Sequence, residues 1–355
     1  MRFKSVRSFK GIAVVAVLLL VGAACGGDDG GAAGEDGERS VIRFAFAPDP
    51  VWDHMNDTGM IVEWEEEFNT RIVATSTWDE FTFFAGGHGD IVSIGSYELP
   101  VLEKETDIKT VSFGKYNYLH VPFFTRADEP YETLADVPKG SKICVSSAVS
   151  NTIFWSVVAS ELHGLDYRVG GGDFELVIND HFLNGDLLAR GECEAAAIIP
   201  EATIPLLRSG EIKFMYDGQM PFTLYKEVAD TDHDGPVSNL FTATQEWYEG
   251  HEEEAAAFLE LWQRGVDAWN ENQQEIIETY PQHFTVEEEA DIEFLIDYME
   301  DPANDWFIDD VYLNQEWVDG EKDFLTLMEE NGWIKPGEPK NPRYEIVGPP
   351  EDTEA

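Results

Sequence analysis

Aromatic and polar side chains recur in this sequence near the ends of segments that are predicted to be β-strands. Together they offer flat rings, hydroxyls, an amide, an imidazole and carboxylates. A pocket for a small ring compound needs such a mixture, because rings provide contact area and polar groups fix orientation. The candidate ligand-binding residues are Asp49, Trp52, Trp78, Ser96, Tyr97, Glu98, Tyr116, Ser147, Ser150, Asn151, Thr152, Asp180, His181 and Glu201.

The aromatic candidates allow two interpretations. Trp52, Trp78, Tyr97 and Tyr116 either pack in the protein core or line a pocket. Our hypothesis is that they stack on a ligand, since each follows or ends a predicted strand and open parallel sheets bind ligands beyond the carboxyl ends of their strands. The polar residues expected to orient the ligand are Ser96, Ser150, Asn151, Asp180 and Glu201.

Ser150, Asn151 and Thr152 stand where a predicted strand passes into a helix. The free N–H groups and the dipole of a helix N-terminus attract a carboxylate or a sulfonate. Ser and Asn are also ordinary helix N-caps, and a capping role needs no ligand. The sequence leaves both interpretations open.

The charges at the strand ends favour one ligand class over another. Asp49, Glu98, Asp180 and Glu201 outnumber Lys115, and these segments contain no Arg. Proteins that bind anions usually use an Arg fork. The pattern therefore favours a neutral or cationic heterocycle, an amine or a zwitterion over nitrate or a simple sulfonate, unless the carboxylates are merely solvated.

No catalytic centre is expected. Ser146 and Ser147 lack the glycine pattern of a nucleophile elbow. The histidines do not pair at metal-ligand spacing, which makes a zinc enzyme improbable. These histidines include His54, His88, His120, His163 and His181. The sequence thus predicts neither an enzyme nor a resident cofactor.

One acidic turn is similar to the first half of a calcium-binding loop. Asp230, Asp232 and Asp234 alternate before Gly235, as the ligands of such a loop do. The twelfth position, however, is Phe241 in place of the bidentate Glu. A solvated acidic turn is the better interpretation, and calcium is the alternative.

The overall charge excludes some classes of partner. The chain has 355 residues, enough for about two domains, and its 70 acidic residues face 23 Lys and Arg, a formal net charge of −47. Such a surface repels phosphate backbones and anionic lipid heads, so nucleic acid is not an expected partner. With 43% hydrophobic residues the chain is expected to bury a sizeable core.

The first 25 residues have the pattern of an export signal. Basic residues within positions 2–10 precede an uncharged run at 11–24, which is too short to span a bilayer. Small residues then precede Cys25, and the segment resembles the lipobox of bacterial lipoproteins, although Gly22 replaces the usual Leu or Val. The resemblance implies a lipid on Cys25, followed by a flexible tether at 26–40. A cleaved signal with an incidental Cys is the alternative.

Cys144 and Cys193 are the remaining cysteines, and each stands at the front of a predicted strand. In an oxidising compartment two free thiols favour a disulfide. Two separate buried thiols are equally compatible with the sequence. Neither cysteine lies in a cluster spaced for metal binding.

Strands alternate with helices along the first two thirds of the chain, which predicts parallel sheets and the α/β class. The predicted strands are 41–47, 71–77, 90–95, 142–146, 174–179, 194–199 and 213–216, with helices near 57–68, 81–85, 152–163 and 184–190. Beyond residue 216 the pattern is helical, at 246–269, 286–299 and 314–328. Thr285 with Glu288 predicts a capping box for the second of these.

Two α/β lobes with a cleft between them follow from this order. The expected limits are the signal segment 1–25, the tether 26–40, a first lobe begun by 41–118, a second lobe at 119–215, completion of the first lobe by 216–335, and an extended tail at 336–355. The chain would then cross between lobes near 113–124 and 213–219. We expect those two crossings to form a hinge.

Several motifs in this order resemble the solute-binding proteins of ABC importers, in particular the nitrate/sulfonate/thiamine-precursor type. One motif runs from Leu134 through Asp136 to Gly140 ahead of a strand, and a Ser-rich turn then opens a helix. Another starts at Gly191, with Glu194 in place of the family's usual Asp. The segments that carry the resemblance are 77–81, 86–93, 133–140, 146–152 and 191–196.

The resemblance implies a fold and a function. The fold is the two-lobed type II periplasmic-binding-protein fold, with a cleft between the lobes. The function is capture of a small-molecule solute, without chemistry, by a monomer on the extracytoplasmic face of the membrane, and delivery to an ABC permease. The family's enzymatic relative uses a run of cysteines that this chain lacks. A surface-anchored adhesion or interaction lipoprotein remains the alternative.

Overall fold

Two mixed β-sheets organise the part of the chain that the structure, a computed structural model, describes: residues 39–340 and 342–349. The predicted signal segment, Cys25 and most of the predicted tether lie outside these residues. The strands are β1 (Ser40–Phe46), β2 (Thr70–Ser76), β3 (Ile91–Ile94), β4 (Thr110–Tyr118), β5 (Phe123–Arg126), β6 (Lys142–Val145), β7 (Glu175–Ile178), β8 (Ala195–Ala197), β9 (Ile212–Phe214), β10 (Val237–Thr244) and β11 (Arg343–Tyr344).

The helices cover the faces of both sheets. They are α1 (Pro50–Asp57), α2 (Met60–Glu67), α3 (Glu80–Ala85), α4 (Leu99–Thr106), α5 (Asn151–His163), α6 (His181–Ala189), α7 (Ile204–Ser209), α8 (Pro221–Ala229), α9 (Gln245–Tyr248), α10 (Glu252–Thr279), α11 (Glu289–Met299) and α12 (Gln315–Glu330). Short 3-10 turns lie at Ser96–Glu98, Pro200–Ala202, Tyr216–Gly218 and Pro281–Phe284. Within the described chain, no helix is long and apolar enough to cross a membrane.

The first sheet has the strand order β11-β4-β10-β3-β1-β2. β1 runs parallel to β2 and β3, as the alternating pattern predicts, but β10 runs antiparallel to both β3 and β4. The prediction of a purely parallel sheet, and of helix only beyond residue 216, is therefore wrong. Strand β10 lies between β3 and β4 in the interior of this sheet. Its side chains are fully buried at Val237, Leu240 and Phe241, and a buried strand of this kind suits β-branched and aromatic residues.

The second sheet has the order β7-β6-β8-β5-β9. β6 is parallel to β7 and β8, whereas β5 is antiparallel to β8 and β9. We call the first sheet with its packed helices the first lobe, and the second sheet with its helices the second lobe. The chain passes between the sheets after β4 and again between β9 and β10.

Cys144 in β6 and Cys193, just before β8, lie side by side because these two strands are parallel neighbours. Their Cα atoms are 5.8 Å apart, and their sulfur atoms are bonded. Both residues are buried beside Phe124 and Leu188. The disulfide thus links two strands of the second lobe across 49 residues of sequence.

Two local predictions are wrong. The helix expected at 57–68 is two helices, α1 and α2, separated at Gly59, whose φ of +86° ends the first. The expected capping box does not form, since Thr285 has left-handed backbone geometry and donates its hydroxyl to the Glu201 carbonyl oxygen. The tail expected to be extended at 336–355 contains strand β11, which pairs with β4.

Each lobe has its own apolar core. In the first, Phe258, Trp262 and Trp269 of α10 pack against the sheet, with the rings of Phe44 and Phe258 4.9 Å apart. In the second, α5 is buried almost all round and packs with α8 and α12.

Helix α12 contacts both lobes. Its Phe324, Leu325 and Met328 belong to the second-lobe core. Its buried Glu321 accepts hydrogen bonds from the Ser96 hydroxyl and, at 2.8 Å, from the Val237 N–H, both in first-lobe segments. This carboxyl therefore attaches a second-lobe helix to the first-lobe sheet.

Candidate functional site

A cleft of about 630 Å³ lies between the two lobes. Its volume falls within the range of about 300–1,000 Å³ that is usual for small-molecule pockets. The first lobe contributes residues 46–50, residues 78–82 and the Tyr97-Glu98 pair. The second lobe contributes the loop at 146–151, together with His181 and Glu201. Most of these segments follow directly after a strand, which is where the sequence predicted binding groups.

Ten of the fourteen candidate residues line the cleft. They are Asp49, Trp78, Tyr97, Glu98, Tyr116, Ser147, Ser150, Asn151, His181 and Glu201. The remaining four, Trp52, Ser96, Thr152 and Asp180, lie outside its lining. Their contact with a ligand remains a prediction that the cleft geometry does not support.

The four residues outside the lining have structural partners. Trp52 packs on Phe46, with ring centroids 5.0 Å apart, and Ser96 donates its hydroxyl to Glu321. Thr152 donates to the Ser147 carbonyl oxygen at 2.6 Å. Asp180 caps helix α6 through a 3.0 Å bond from the Phe182 N–H. These side chains therefore make structural contacts outside the lining of the cleft.

Sequence reasoning missed several lining residues. Ser238 and Asn239 lie on β10, a strand that was not predicted, and Trp306 follows α11 in a loop. Asn117 and His120 border the first crossing between the lobes. Asn117 could have been included, since it follows Tyr116 at the end of the crossing strand, where the sequence places binding groups.

Asp49 and Tyr116 form a fixed pair at the base of the cleft. The Tyr116 hydroxyl donates to Asp49 Oδ2 at 2.9 Å. Asp49 Oδ1 accepts the Val51 N–H at 2.8 Å and so caps helix α1. Burial raises the pKa of Asp49 to about 6, although the Tyr116 hydroxyl and the backbone N–H groups favour its ionised form.

His120 and Glu201 form a second buried pair. His120 Nδ1 lies 2.9 Å from the Tyr118 carbonyl oxygen, so that nitrogen carries a proton, and Nε2 lies 3.0 Å from Glu201 Oε1. The ring stacks on Trp306 at 4.9 Å. Burial lowers the pKa of His120, but the Glu201 carboxylate outweighs it and the net shift is upward. Both ring nitrogens thus face oxygen acceptors, and the raised pKa favours the protonated ring beside the Glu201 carboxyl group.

Lys115, counted from the sequence as a strand-end cation, does not line the cleft. Its ammonium group donates to the Asp310 carboxylate at 2.8 Å and lies 5.3 Å from the Trp317 ring centroid. The Lys115 side chain is therefore engaged in a contact with Asp310 and Trp317 outside the cleft lining.

Some buried polar atoms of the lining have no hydrogen-bond partner within the described chain. These atoms are Asn117 Oδ1, Asn151 Oδ1, His181 Nδ1, Glu201 Oε2 and Trp262 Nε1. Buried polar atoms are nearly always paired in folded proteins. Their concentration in one cleft indicates a place where a ligand's polar groups would complete the bonding.

The two lobes touch across the mouth of the cleft. Trp78 of the first lobe lies 5.3 Å from the His181 ring and 5.5 Å from the Phe182 ring of the second. On the other edge Arg208 of α7 bonds to Asp291 of α11 and lies 3.2 Å from Glu288. Opening the cleft would separate these pairs.

The acidic turn at 230–234 is held by an ion pair with a protein cation. Asp234 Oδ1 lies 2.8 Å from Lys226 Nζ, and Asp230 ends helix α8 with left-handed geometry. Among residues 39–340 and 342–349, no three His, Cys, Asp or Glu side chains converge as a metal site. Calcium at this turn stays an untested alternative.

No family model matches the sequence, and no curated protein matches it either. Solved structures do match. The alkanesulfonate-binding protein SsuA of Xanthomonas axonopodis pv. citri, bound to MOPS, has a TM-score of 0.67 at 12% identity, over 87% of this chain and 99% of that one. The chain has the periplasmic-binding-protein fold. The two-lobed architecture expected from the sequence is thereby confirmed.

Two further structures show how widely this fold is shared. The ligand-binding component of an ABC-type import system from Staphylococcus aureus, with zinc bound, has a TM-score of 0.58 at 12% identity, over 86% of this chain and 97% of that one. The Candida albicans CA3427 gene product, described as having the generic periplasmic binding protein fold, has a TM-score of 0.61 at 12% identity, over 88% of this chain and 99% of that one.

Proposed function

We propose that the protein is the solute-binding component of an ABC importer, which captures a small organic solute between its lobes and delivers it to a membrane permease. The observation that carries the proposal is the cleft itself. It is lined from both lobes, and it concentrates buried polar atoms that lack partners among the described residues.

Hinge closure is the second part of the proposal. The two sheets are joined after β4 and between β9 and β10, and the pairs Trp78–His181 and Arg208–Asp291 meet across the two edges of the cleft. A ligand that contacts both walls stabilises this arrangement over an open one, because it binds the closed state better. Closure is also the signal that a permease can recognise.

Localisation and partners follow from the same proposal. The protein is exported, attached by a lipid on Cys25 to the extracytoplasmic face of the membrane, and works as a monomer with an ABC permease. The neighbours support it through what their names state, an alkanesulfonate-binding protein and a component of an ABC-type import system. The net charge of −47 is compatible with an aqueous exterior, where salt screens self-repulsion.

The experiment is a thermal-shift screen of the full chain against a broad library of small solutes. A ligand at about 100 times its dissociation constant stabilises the folded state by about 2.7 kcal/mol, which gives a readable rise in melting temperature. Asn151→Ala should weaken the hit, because Asn151 lies buried in the second-lobe wall. Asn331→Ala, at the end of α12 and outside the cleft, is the matched control.

Small-angle scattering of the same samples tests closure. The hit should reduce the radius of gyration of the wild-type protein. If no organic solute stabilises the chain and no compaction is seen, the transport function is wrong, and the surface-adhesion alternative becomes the better explanation.

A further inference from the structure

We propose that the cleft selects organic cations, such as amines and amidines, and discriminates against anions of the same shape. This inference rests on the proposed function and names the class of solute. It runs against the ligand class of the alkanesulfonate-binding neighbour, and it depends on the charges that this chain places in the lining.

The charged groups of the lining are almost all acidic. Six carboxyl groups line it, those of Asp49, Asp79, Glu80, Glu98, Glu105 and Glu201. Within the described residues, no Lys or Arg side chain does so. An anionic solute would therefore meet carboxylates without the guanidinium or ammonium group that usually holds it.

Two of these carboxyl groups are already used by the protein. Asp49 caps helix α1 and accepts the Tyr116 hydroxyl. Glu201 is bonded to His120 through Oε1, which leaves only Oε2 for a ligand. The four carboxyl groups that remain, those of Asp79, Glu80, Glu98 and Glu105, lie on the first-lobe wall.

Glu98 is the best placed of the remaining carboxyl groups. It lies at the end of the 3-10 turn after β3, is 8% exposed, and accepts only the Gly95 N–H, at 3.3 Å, among the described residues. Asp79 and Glu105 are exposed by comparison. A cationic nitrogen in the cleft would give Glu98 the partner that the protein does not supply.

The neutral side chains of the walls suit the same ligand. Asn117 and Asn151 are 8% and 2% exposed, and each has a buried oxygen without a partner in the described chain. Such oxygens accept N–H donors, and an amidinium or ammonium brings several. Trp78, Tyr97 and Trp306 add aromatic side chains to the lining, and aromatic rings attract organic cations through their quadrupole.

One feature of the lining favours the opposite charge. The N-terminus of helix α5, at Asn151, opens into the cleft and carries a partial positive charge of about half a unit. That is smaller than a full carboxylate charge, and no Lys or Arg side chain among the described residues of the lining reinforces it. The net field of the cleft therefore favours a cation.

An isosteric set of probes tests the inference. Benzamidine, benzamide and benzoate share one shape and carry a positive, a zero and a negative charge. Binding to the full chain is measured by titration calorimetry at pH 8 and 150 mM salt, where surface attraction is screened. We expect benzamidine to bind at least about tenfold more tightly than benzamide, the effect of one charge-assisted contact, and benzoate more weakly than benzamide.

Two matched variants locate the effect. Glu98→Gln removes the charge but keeps an acceptor for the Gly95 N–H, and it should weaken benzamidine by about tenfold while changing benzamide less than about threefold. Glu103→Gln removes another buried carboxyl, on α4 and outside the lining, and should leave both affinities unchanged. If the two variants behave alike, the negative field does not come from the cleft wall and the inference is wrong.

Failure of this inference can be told apart from failure of the proposed function. If a broad solute screen finds a ligand and that ligand is an anion, or if benzoate binds more tightly than benzamidine, cation selectivity is overturned while solute binding stands. If no solute of any charge binds, both are overturned. A benzamidine preference that Glu98→Gln abolishes supports both.

Discussion

The two lobes differ in how the chain builds them. The second-lobe sheet, β5 to β9, comes from one continuous stretch between Phe123 and Phe214. The first-lobe sheet needs β1 to β4, then β10 more than a hundred residues later, and finally β11 near the end of the chain. Only the second sheet carries a disulfide among the described residues. The first lobe therefore depends on long-range apolar packing, and the second combines packing with a covalent link.

The largest expected effect is on the packing of the first lobe. Trp262 of α10 is 1% exposed and its ring lies 4.4 Å from that of Tyr116 and 5.3 Å from that of Phe241. Trp262→Ala leaves a large cavity and should lower the free energy of unfolding by about 3–5 kcal/mol. Denaturant titration measures the loss.

Trp247→Ala is the matched control, since this Trp is only partly buried and stacks on His251 at 4.8 Å. It should lower the free energy of unfolding by about 1 kcal/mol or less. Equal losses for the two variants would contradict the dependence of the first lobe on the packing of α10.

Opening the disulfide should destabilise the second lobe. The bond closes a loop of 49 residues, and removing such a link destabilises a protein by about 2–4 kcal/mol, mainly by freeing the unfolded chain. The double variant Cys144→Ala/Cys193→Ala should therefore unfold earlier in denaturant. Hydrogen exchange should show faster opening in β6 and β8, with β1 and β2 unchanged.

Chemical reduction of the wild-type chain provides the control, because it opens the same bond without changing packing volume. It should reproduce the direction of the effect and its restriction to the second lobe. Equal acceleration of exchange in both lobes would mean that they unfold as one unit.

The same difference explains what the sequence could predict. In the second lobe each strand, its following turn and the next helix are local in sequence, so periodicity and turn residues placed β6, α5 and β7 and the polar loop at 146–151 correctly. In the first lobe β10 pairs between β3 and β4, two strands that precede it by more than a hundred residues in the sequence. Its residues alternate too briefly, between an acidic turn and a helix, for the pattern to be distinctive.

The predictions of site residues also divide into those set by local sequence and those set by tertiary contacts. Ten of the fourteen strand-end candidates line the cleft because strand ends converge at one edge of each sheet. Trp52 and Ser96 do not line the cleft. Trp52 packs on the aromatic ring of Phe46, and Ser96 donates its hydroxyl to Glu321 of a helix distant in sequence. Ser238 and Trp306 were missed because the segments that carry them are positioned only by tertiary contacts. Periodicity predicts which face of a helix or strand is buried, whereas the residues that pack against that face depend on the whole fold.

A buried carboxyl between the lobes makes stability depend on pH. Glu321 is 1% exposed, and burial raises its pKa to about 7, although Ser96 and the Val237 N–H favour its ionised form. The phenols of Tyr97, Tyr225 and Tyr344 also face it. A raised carboxyl pKa means that the folded state binds more protons than the unfolded one, so stability falls as pH rises from about 4.5 to about 7.

The expected loss from this one group is about 2–3 kcal/mol over that pH window. Glu98 and Asp49 have raised pKa values of about 7 and about 6 and contribute with the same sign. Glu321→Gln should therefore reduce the slope without abolishing it. Denaturant titrations at pH 4.5, 6 and 8 measure the slope, and an unchanged slope in this variant would place the proton uptake elsewhere.

The smallest effect on the free energy of unfolding is expected for the Arg343 side chain in the edge strand β11. Two substitutions at this residue distinguish the contribution of its ion pairs from that of sheet pairing. Arg343 lies 2.8 Å from Glu249 and 2.6 Å from Glu345, but its side chain is 40% exposed. Exposed ion pairs contribute little, because water and salt screen them. Arg343→Ala should therefore change the free energy of unfolding by less than about 0.5 kcal/mol, measured by denaturant titration in low and high salt. Arg343→Pro, which removes the backbone N–H of β11 and fixes its φ, should have the larger effect if the strand itself closes the first sheet against β4.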